Sequence, residues 1–162
     1  MLKYFILFII LIPSTFATEK VRNRFYIENR RIYEQILKNN PYINKQYALK
    51  LSYIIVKVSI KRNVNPRQLT AILAQESMYK LGKINRMTQD YSIGQININN
   101  IIKYKFNIKK LIKDLNYSID CSALILSELR SKYKNESNYW SRYNSFNLKL
   151  RKVYEKKVKK YL

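Results

Sequence analysis

Glu76 is the residue of this chain best suited to acid–base chemistry. The chain has no histidine and a single cysteine, Cys121, which excludes histidine-dependent catalytic triads, HExxH zinc sites and CxxC metal sites. Most of its ten carboxylates lie among lysine, arginine and asparagine, as solvated residues do. Glu76 instead continues an apolar helical stripe formed by Leu69, Ile72 and Leu73. Burial on such a face raises the pKa of a carboxyl group, as a general acid near neutral pH requires.

Glu76 also has a second interpretation, as a solvated residue at the edge of a helix. Lys80 lies four residues further along the chain, and a Glu–Lys pair at this spacing stabilises many surface helices. The helix by itself does not decide between an acid catalyst and a surface ion pair, so both interpretations stay open at this point.

The helix that carries Glu76 is predicted to run from Asn65 to Gly82. Asn65 is suited to the N-cap and Pro66 to the first helical position, while Gln68 supplies the amide of a capping box. Gly82 is expected to end the helix in the left-handed conformation.

Other segments with helical spacing predict an α-helical frame around this helix. Further helices are predicted at 25–38, 46–62, 107–116, 117–134 and 147–162. The polar segment 83–90 predicts a loop, 91–97 is a short mixed segment, and 140–145 is a link or short helix. With only two glycines and three prolines, the sequence predicts a mainly α fold with at most a minimal β segment.

The net charge of +22 predicts attraction to polyanions such as nucleic acid, an anionic membrane surface or an acidic cell-wall polymer. The charge is scattered along the chain rather than gathered into one motif. It therefore indicates an anionic setting and not a nucleic-acid function.

The first 17 residues have the three parts of a secretory signal peptide. Lys3 gives a positive start, 4–12 is a continuous apolar run, and Thr15 and Ala17 are small residues suited to a cleavage site. The apolar run is shorter than the roughly 20 residues of a spanning helix, although an uncleaved anchor is the alternative. We expect a mature domain at 18–162, beginning at Thr18, periplasmic or secreted and without a stable membrane span.

Three short motifs occur in the mature chain: Glu76-Ser77, the segment GQIN at 94–97, and Tyr143-Asn144. Their order and spacing resemble those of the soluble lytic transglycosylases, lysozyme-like enzymes that cut bacterial peptidoglycan. The resemblance extends from about Tyr47 to the C-terminus. The small size and the signal segment are most similar to family members that accompany secretion systems and pili, which implies components of such an apparatus as partners.

The resemblance implies a role for each motif residue. Glu76 would be the catalytic acid and base, with Ser77 beside it near the sugar. Gln95 would bind substrate or shape the floor of the cleft, and Tyr143 and Asn144 would close the site, with the Tyr143 hydroxyl near Glu76. Further substrate-binding candidates are Tyr91, Ser92 and Asn97. The aromatic side chains that could pack on sugar rings are Tyr79, Tyr91 and Trp140, each with ordinary aromatic core as its alternative.

Two departures from the family pattern bear on the site. The second motif usually reads Gly-Leu-Met-Gln, whereas this chain has Ser92, Ile93, Gly94 and Gln95. Gly94 thus replaces a methionine that packs against substrate in the family. The third motif usually continues Tyr-Asn-Ala-Gly, but Ser145-Phe146 follows here.

The function implied is cleavage of the bond between N-acetylmuramic acid and N-acetylglucosamine, leaving an anhydro-muramic acid end. Neither metal nor cofactor is needed, and peptidoglycan glycan strands are the expected partner. One alternative is a hydrolytic lysozyme that uses Asp90 as a second carboxylate, a residue otherwise expected to serve only the loop. The other alternative is an inactive, basic cell-wall-binding protein.

Overall fold

The computed structural model describes residues 19–162, which form seven α-helices, one 3₁₀ helix and a small sheet. The helices are α1 Glu19–Asn39, α2 Lys45–Arg62, α3 Pro66–Ser77, α4 Ile98–Tyr104, α5 Ile108–Lys113, α6 Leu115–Lys132 and α7 Leu148–Lys159, with the 3₁₀ helix at Tyr139–Tyr143. The strands are β1 Ile84–Asn85, β2 Asp90–Tyr91 and β3 Ile96–Asn97. The expectation of a mainly α fold with a minimal β segment is confirmed. The predicted signal peptide, Met1–Ala17, lies outside the described residues.

Helix α3 lies at the centre of the fold. It contacts α1, α2, α6 and α7, and every residue from Leu69 to Ala74 is buried. Asn65 caps it as predicted, accepting hydrogen bonds from the backbone N–H groups of Arg67 and Gln68. The Gln68 side chain does not complete a capping box, since its Oε1 accepts a hydrogen bond from the Tyr139 hydroxyl instead. The middle of the core thus holds the helix that carries Glu76.

Helix α3 ends at Ser77, five residues before the predicted end at Gly82. Met78 and Tyr79 both adopt the left-handed conformation, with φ of 52° and 66°. The Ser77 hydroxyl donates to the carbonyl of Ile93 and accepts from the backbone N–H of Lys80. The bond to Ile93 joins segments sixteen residues apart, so the early end of the helix could not be predicted from the local sequence.

The segment 83–97 folds into an antiparallel sheet in the order β1-β2-β3, where a loop and a mixed segment were predicted. Its register pairs Asp90 with Asn85 on one side and with Asn97 on the other. Helix α4 follows β3 directly and was not predicted. Among residues 19–162, no helix is long and apolar enough to cross a membrane.

Candidate active site

Glu76 lies one residue before the end of α3, where its side chain is partly buried. The Tyr154 hydroxyl, from α7, donates a hydrogen bond of 2.6 Å to Glu76 Oε1. The Lys83 ammonium donates to the Glu76 backbone carbonyl at 2.8 Å. No ion pair joins Glu76 to Lys80 within the described part of the chain, because the helix has already ended and Lys80 is exposed. The interpretation as a surface ion pair is therefore wrong.

Burial raises the pKa of Glu76 from 4.5 to about 7. The hydrogen bond from Tyr154 opposes this rise because it stabilises the carboxylate. The negative charge of Asp90 adds to the rise, and the ammonium groups of Lys83 and Lys157 oppose it. A carboxyl group with this pKa populates both the acid and the carboxylate near neutral pH, so it can donate a proton and later accept one.

The Glu76 side chain lines a cavity of about 190 Å³. The cavity is lined by residues from α3, the sheet segment, α4, α6 and the end of the 3₁₀ helix: Glu76, Asp90, Gln95, Ile96, Asn97, Asn100, Ile125, Tyr143 and Asn144. The structure thus brings together five predicted site residues that are up to 68 positions apart in sequence. The amide and hydroxyl groups that line the cavity are suited to hydrogen bonding with a sugar.

Asp90 is the second carboxylate of this cavity, and its two oxygens are held by neighbours. Asn97 donates to Oδ1 at 2.9 Å and Thr88 donates to Oδ2 at 2.5 Å. The expectation that Asp90 serves only a loop is wrong, because it lies in β2 and faces the same cavity as Glu76.

Gln95 and Tyr143 shape the cavity through bonds to backbone carbonyls. The Gln95 amide nitrogen donates to the carbonyls of Lys83 and Ser92, which ties the two sides of the sheet segment together. The Tyr143 hydroxyl donates to the Gly94 carbonyl at 3.0 Å. Tyr143 shares the cavity with Glu76, but the hydroxyl that contacts the carboxylate is that of Tyr154.

Gly94 allows this close packing because it has no side chain. A Cβ atom at this position would lie 2.0 Å from Ser122 Oγ and 2.8 Å from the Tyr143 hydroxyl. Position 94 therefore faces α6 and Tyr143, and a side chain in the family's methionine position has no room in this arrangement. The departure from the family pattern has a steric cause here.

Ser77 and Ser92, both predicted to bind substrate, are buried in the core. Ser92 has no exposed surface and its Oγ accepts a hydrogen bond from the Ser118 hydroxyl. Its φ of 67° lies in the left-handed region, which glycine, the usual residue of the family pattern at this position, adopts more easily. Ser77 is 4% exposed and bonded to the Ile93 carbonyl. Both are corrected from substrate contacts to internal supports of the cavity.

The proposed sugar-packing aromatics are also corrected. Tyr79 is 1% exposed and its hydroxyl accepts from the Asn39 side chain, while Trp140 is 4% exposed in the same core. Tyr91 is half-buried and packs against the smaller apolar cluster around Ile96. Of the three, only Tyr91 keeps partial exposure.

Tyr154 is a candidate site residue that was not predicted from the sequence. It lies on a buried stripe of α7 with Arg151 and Val158, within an otherwise lysine-rich helix. A tyrosine at helical spacing among buried residues was the available signal, but nothing local indicated that its partner was Glu76, 78 residues earlier.

Tyr154→Phe is expected to raise the pKa of Glu76 above about 7, because it removes the donor that stabilises the carboxylate. The alkaline limb of the pH–rate profile, where an acid catalyst loses its proton, should then move upward by about one pH unit. Rates of peptidoglycan cleavage measured from pH 5 to 9 check this. Tyr161→Phe, beyond the end of α7, should leave the limb in place; an unmoved limb in Tyr154→Phe would contradict the assignment.

Within residues 19–162, no group of three or more histidine, cysteine, aspartate or glutamate side chains is placed to hold a metal ion. Cys121 is buried, and burial raises the pKa of its thiol to about 12, which leaves it unreactive.

The family model of the transglycosylase SLT domain matches residues 53–161, a range that includes every residue lining the cavity. No curated protein and no solved structure matches the chain.

Proposed function

This chain belongs to the transglycosylase SLT domain family, and from that membership we propose that it is a lytic transglycosylase that cleaves the MurNAc–GlcNAc bond of peptidoglycan. The observation that carries the proposal is Glu76 itself, a carboxyl group with a pKa of about 7 at the edge of a polar cavity.

In the first step, protonated Glu76 donates its proton to the glycosidic oxygen, and the bond from that oxygen to the muramic acid C1 breaks. In the second step, the Glu76 carboxylate takes the proton of the same sugar's O6 hydroxyl while O6 bonds to C1. The anhydro ring closes, and Glu76 ends in the protonated form in which it began. The Tyr154 hydroxyl supports the carboxylate between the two steps.

One carboxyl group is enough for this reaction because the nucleophile is already part of the sugar. Well-oriented intramolecular attack has an effective concentration of about 10⁵ M or more, so no bound water has to be activated. The Tyr154 hydrogen bond and the burial of Glu76 act on its pKa in opposite directions, which supports a group that works in both protonation states.

Digestion of purified peptidoglycan tests the proposal. The mature chain, 18–162, should release soluble muropeptides without added metal or cofactor, and a protein that binds peptidoglycan but releases nothing would favour the inactive binding protein. We propose a periplasmic or secreted location on the basis of the signal-like segment 1–17.

Hydrolysis is the second candidate, and the position of Asp90 in the cavity favours it. A lysozyme uses one carboxyl group as acid and another as nucleophile or water-activating base. Transglycosylation needs no such group.

Asp90→Asn is therefore expected to keep peptidoglycan cleavage within about tenfold of the unmodified chain, whereas loss of an acid or base catalyst costs about 10²–10⁴-fold. Initial rates of muropeptide release measure this. Thr88→Val, which removes only the hydroxyl that holds Asp90, is the matched control. An inactive Asp90→Asn beside an active Thr88→Val would favour the lysozyme mechanism.

A further inference from the structure

A second cavity of about 560 Å³ continues from the catalytic one, and the two share Asn97, Asn100, Ile125, Tyr143 and Asn144. We call this second cavity the outer groove. Its walls are α4, the last turns of α6 and the segment 142–146. The two cavities therefore give a chain-like substrate a continuous path from Glu76 into the outer groove.

The outer groove is lined by charged side chains as well as by the neutral polar groups that suit a sugar chain. Three cations line it, Lys103, Lys132 and Arg142, against one acid, Glu128. Lys103 is paired with Glu128 at 3.2 Å. Arg142 is paired with Glu136, which lies outside the groove lining.

Lys132 is the cation that remains available to a ligand. Its ammonium lies 5.6 Å from the centre of the Tyr133 ring, and no ion pair to it occurs among residues 19–162. The Arg142 guanidinium lies over the same ring, 3.9 Å from its centre, so two cations contact one aromatic ring. The exposed Phe146 ring is beside it, 6.3 Å from Tyr133 between ring centres. Together these residues present positive charge over an apolar platform.

A glycan of N-acetylglucosamine and N-acetylmuramic acid offers an anion only through the lactyl group and what is attached to it. When that group carries a stem peptide, its carboxylates project away from the sugar chain. An ammonium beside aromatic faces suits the carboxylate and the aliphatic atoms of such a peptide.

We propose that the outer groove binds a carboxylate of the peptidoglycan stem peptide through Lys132, so that the enzyme prefers strands that still carry peptides. This inference rests on the proposed function and adds the part of the substrate that sets its selectivity.

The test compares two substrates: soluble glycan strands with their peptides, and the same strands after an amidase has removed them, leaving only the lactyl carboxylate. The mature chain should cleave the peptide-bearing strands with about three- to tenfold higher kcat/KM, the size expected for one partly solvated ion pair. The preference should shrink as salt rises from 50 to 500 mM, because added ions screen an exposed pair.

Lys132→Ala should remove most of the preference by raising KM for peptide-bearing strands, with kcat unchanged. Lys134→Ala is the matched control, since Lys134 is also exposed but does not line the groove. Equal kcat/KM on both substrates, or the same kinetics for the two variants, would overturn the inference while leaving the proposed function standing. Release from neither substrate would instead overturn the proposed function.

Discussion

We expect Glu76→Gln to abolish peptidoglycan cleavage while the fold stays intact. The amide cannot donate or accept the proton that the reaction moves, and loss of such a group typically costs about 10²–10⁴-fold or more in rate. Glutamine keeps the shape of the side chain and still accepts the hydrogen bond from the Tyr154 hydroxyl. Muropeptide release, with circular dichroism to check the fold, measures both parts of the expectation.

The same substitution should also change the pH dependence of stability. The pKa of Glu76 is about 7 when folded, above the ordinary 4.5, so the folded state holds this proton more tightly than the unfolded chain does. The contribution of Glu76 to stability is therefore fully present below pH 4.5 and is lost as pH rises through 7. Each pKa unit corresponds to about 1.4 kcal/mol, and the partial exposure of the side chain reduces the effect. From pH 5 to pH 8, the free energy of unfolding of Glu76→Gln should therefore rise by about 2 kcal/mol relative to that of the unmodified chain.

Glu34→Gln is the matched control, because Glu34 forms only an exposed pair with Arg30 on α1. It should leave both activity and the pH dependence of unfolding nearly unchanged. A Glu76→Gln variant that unfolds would make Glu76 structural, and one that still digests peptidoglycan would remove it from the mechanism.

Gly94→Ala should destabilise the protein and reduce cleavage together. The new Cβ would lie 2.0 Å from Ser122 Oγ and 2.8 Å from the Tyr143 hydroxyl, so one of these groups has to move. Forcing a methyl group into a packed interior costs about 1–3 kcal/mol. If Tyr143 moves, its hydrogen bond to the Gly94 carbonyl is lost and the wall of the catalytic cavity shifts.

Denaturant unfolding and muropeptide release measure the two effects of Gly94→Ala. Combining it with Ser122→Ala removes the closest contact and should restore part of the stability. The Tyr143 contact remains, so activity should recover less than stability does. A Gly94→Ala variant as stable and active as the unmodified chain would show that this close packing does not matter to the site.

The helical frame could be predicted because its signals are local. Apolar spacing predicted α2 and α7 close to their observed bounds, and Asn65 was correctly predicted as the cap that begins α3. The end of α3 could not be predicted, since Ser77 stops the helix by bonding to Ile93, sixteen residues away. The seven-residue α4 is too short for a reliable periodic pattern.

The candidate site also has residues that could be predicted from the sequence and residues that could not. The motif resemblance pointed to Glu76, Gln95, Asn97, Tyr143 and Asn144, which the fold brings to one cavity. The resemblance did not separate residues that line the cavity from those that support it, and Ser92 belongs to the second group. Tyr154 and the position of Asp90 depend on how α7 and the sheet pack around α3, which no short segment encodes.

The mass of the fragments released from peptidoglycan tests most directly whether Glu76 works alone. Attack by the sugar's own O6 leaves an anhydro-muramic acid end, so each fragment should be lighter by one water than the corresponding lysozyme product and should not react with borohydride. Fragments of the full hydrolysed mass, with ends that borohydride reduces, would contradict the mechanism and identify a lysozyme.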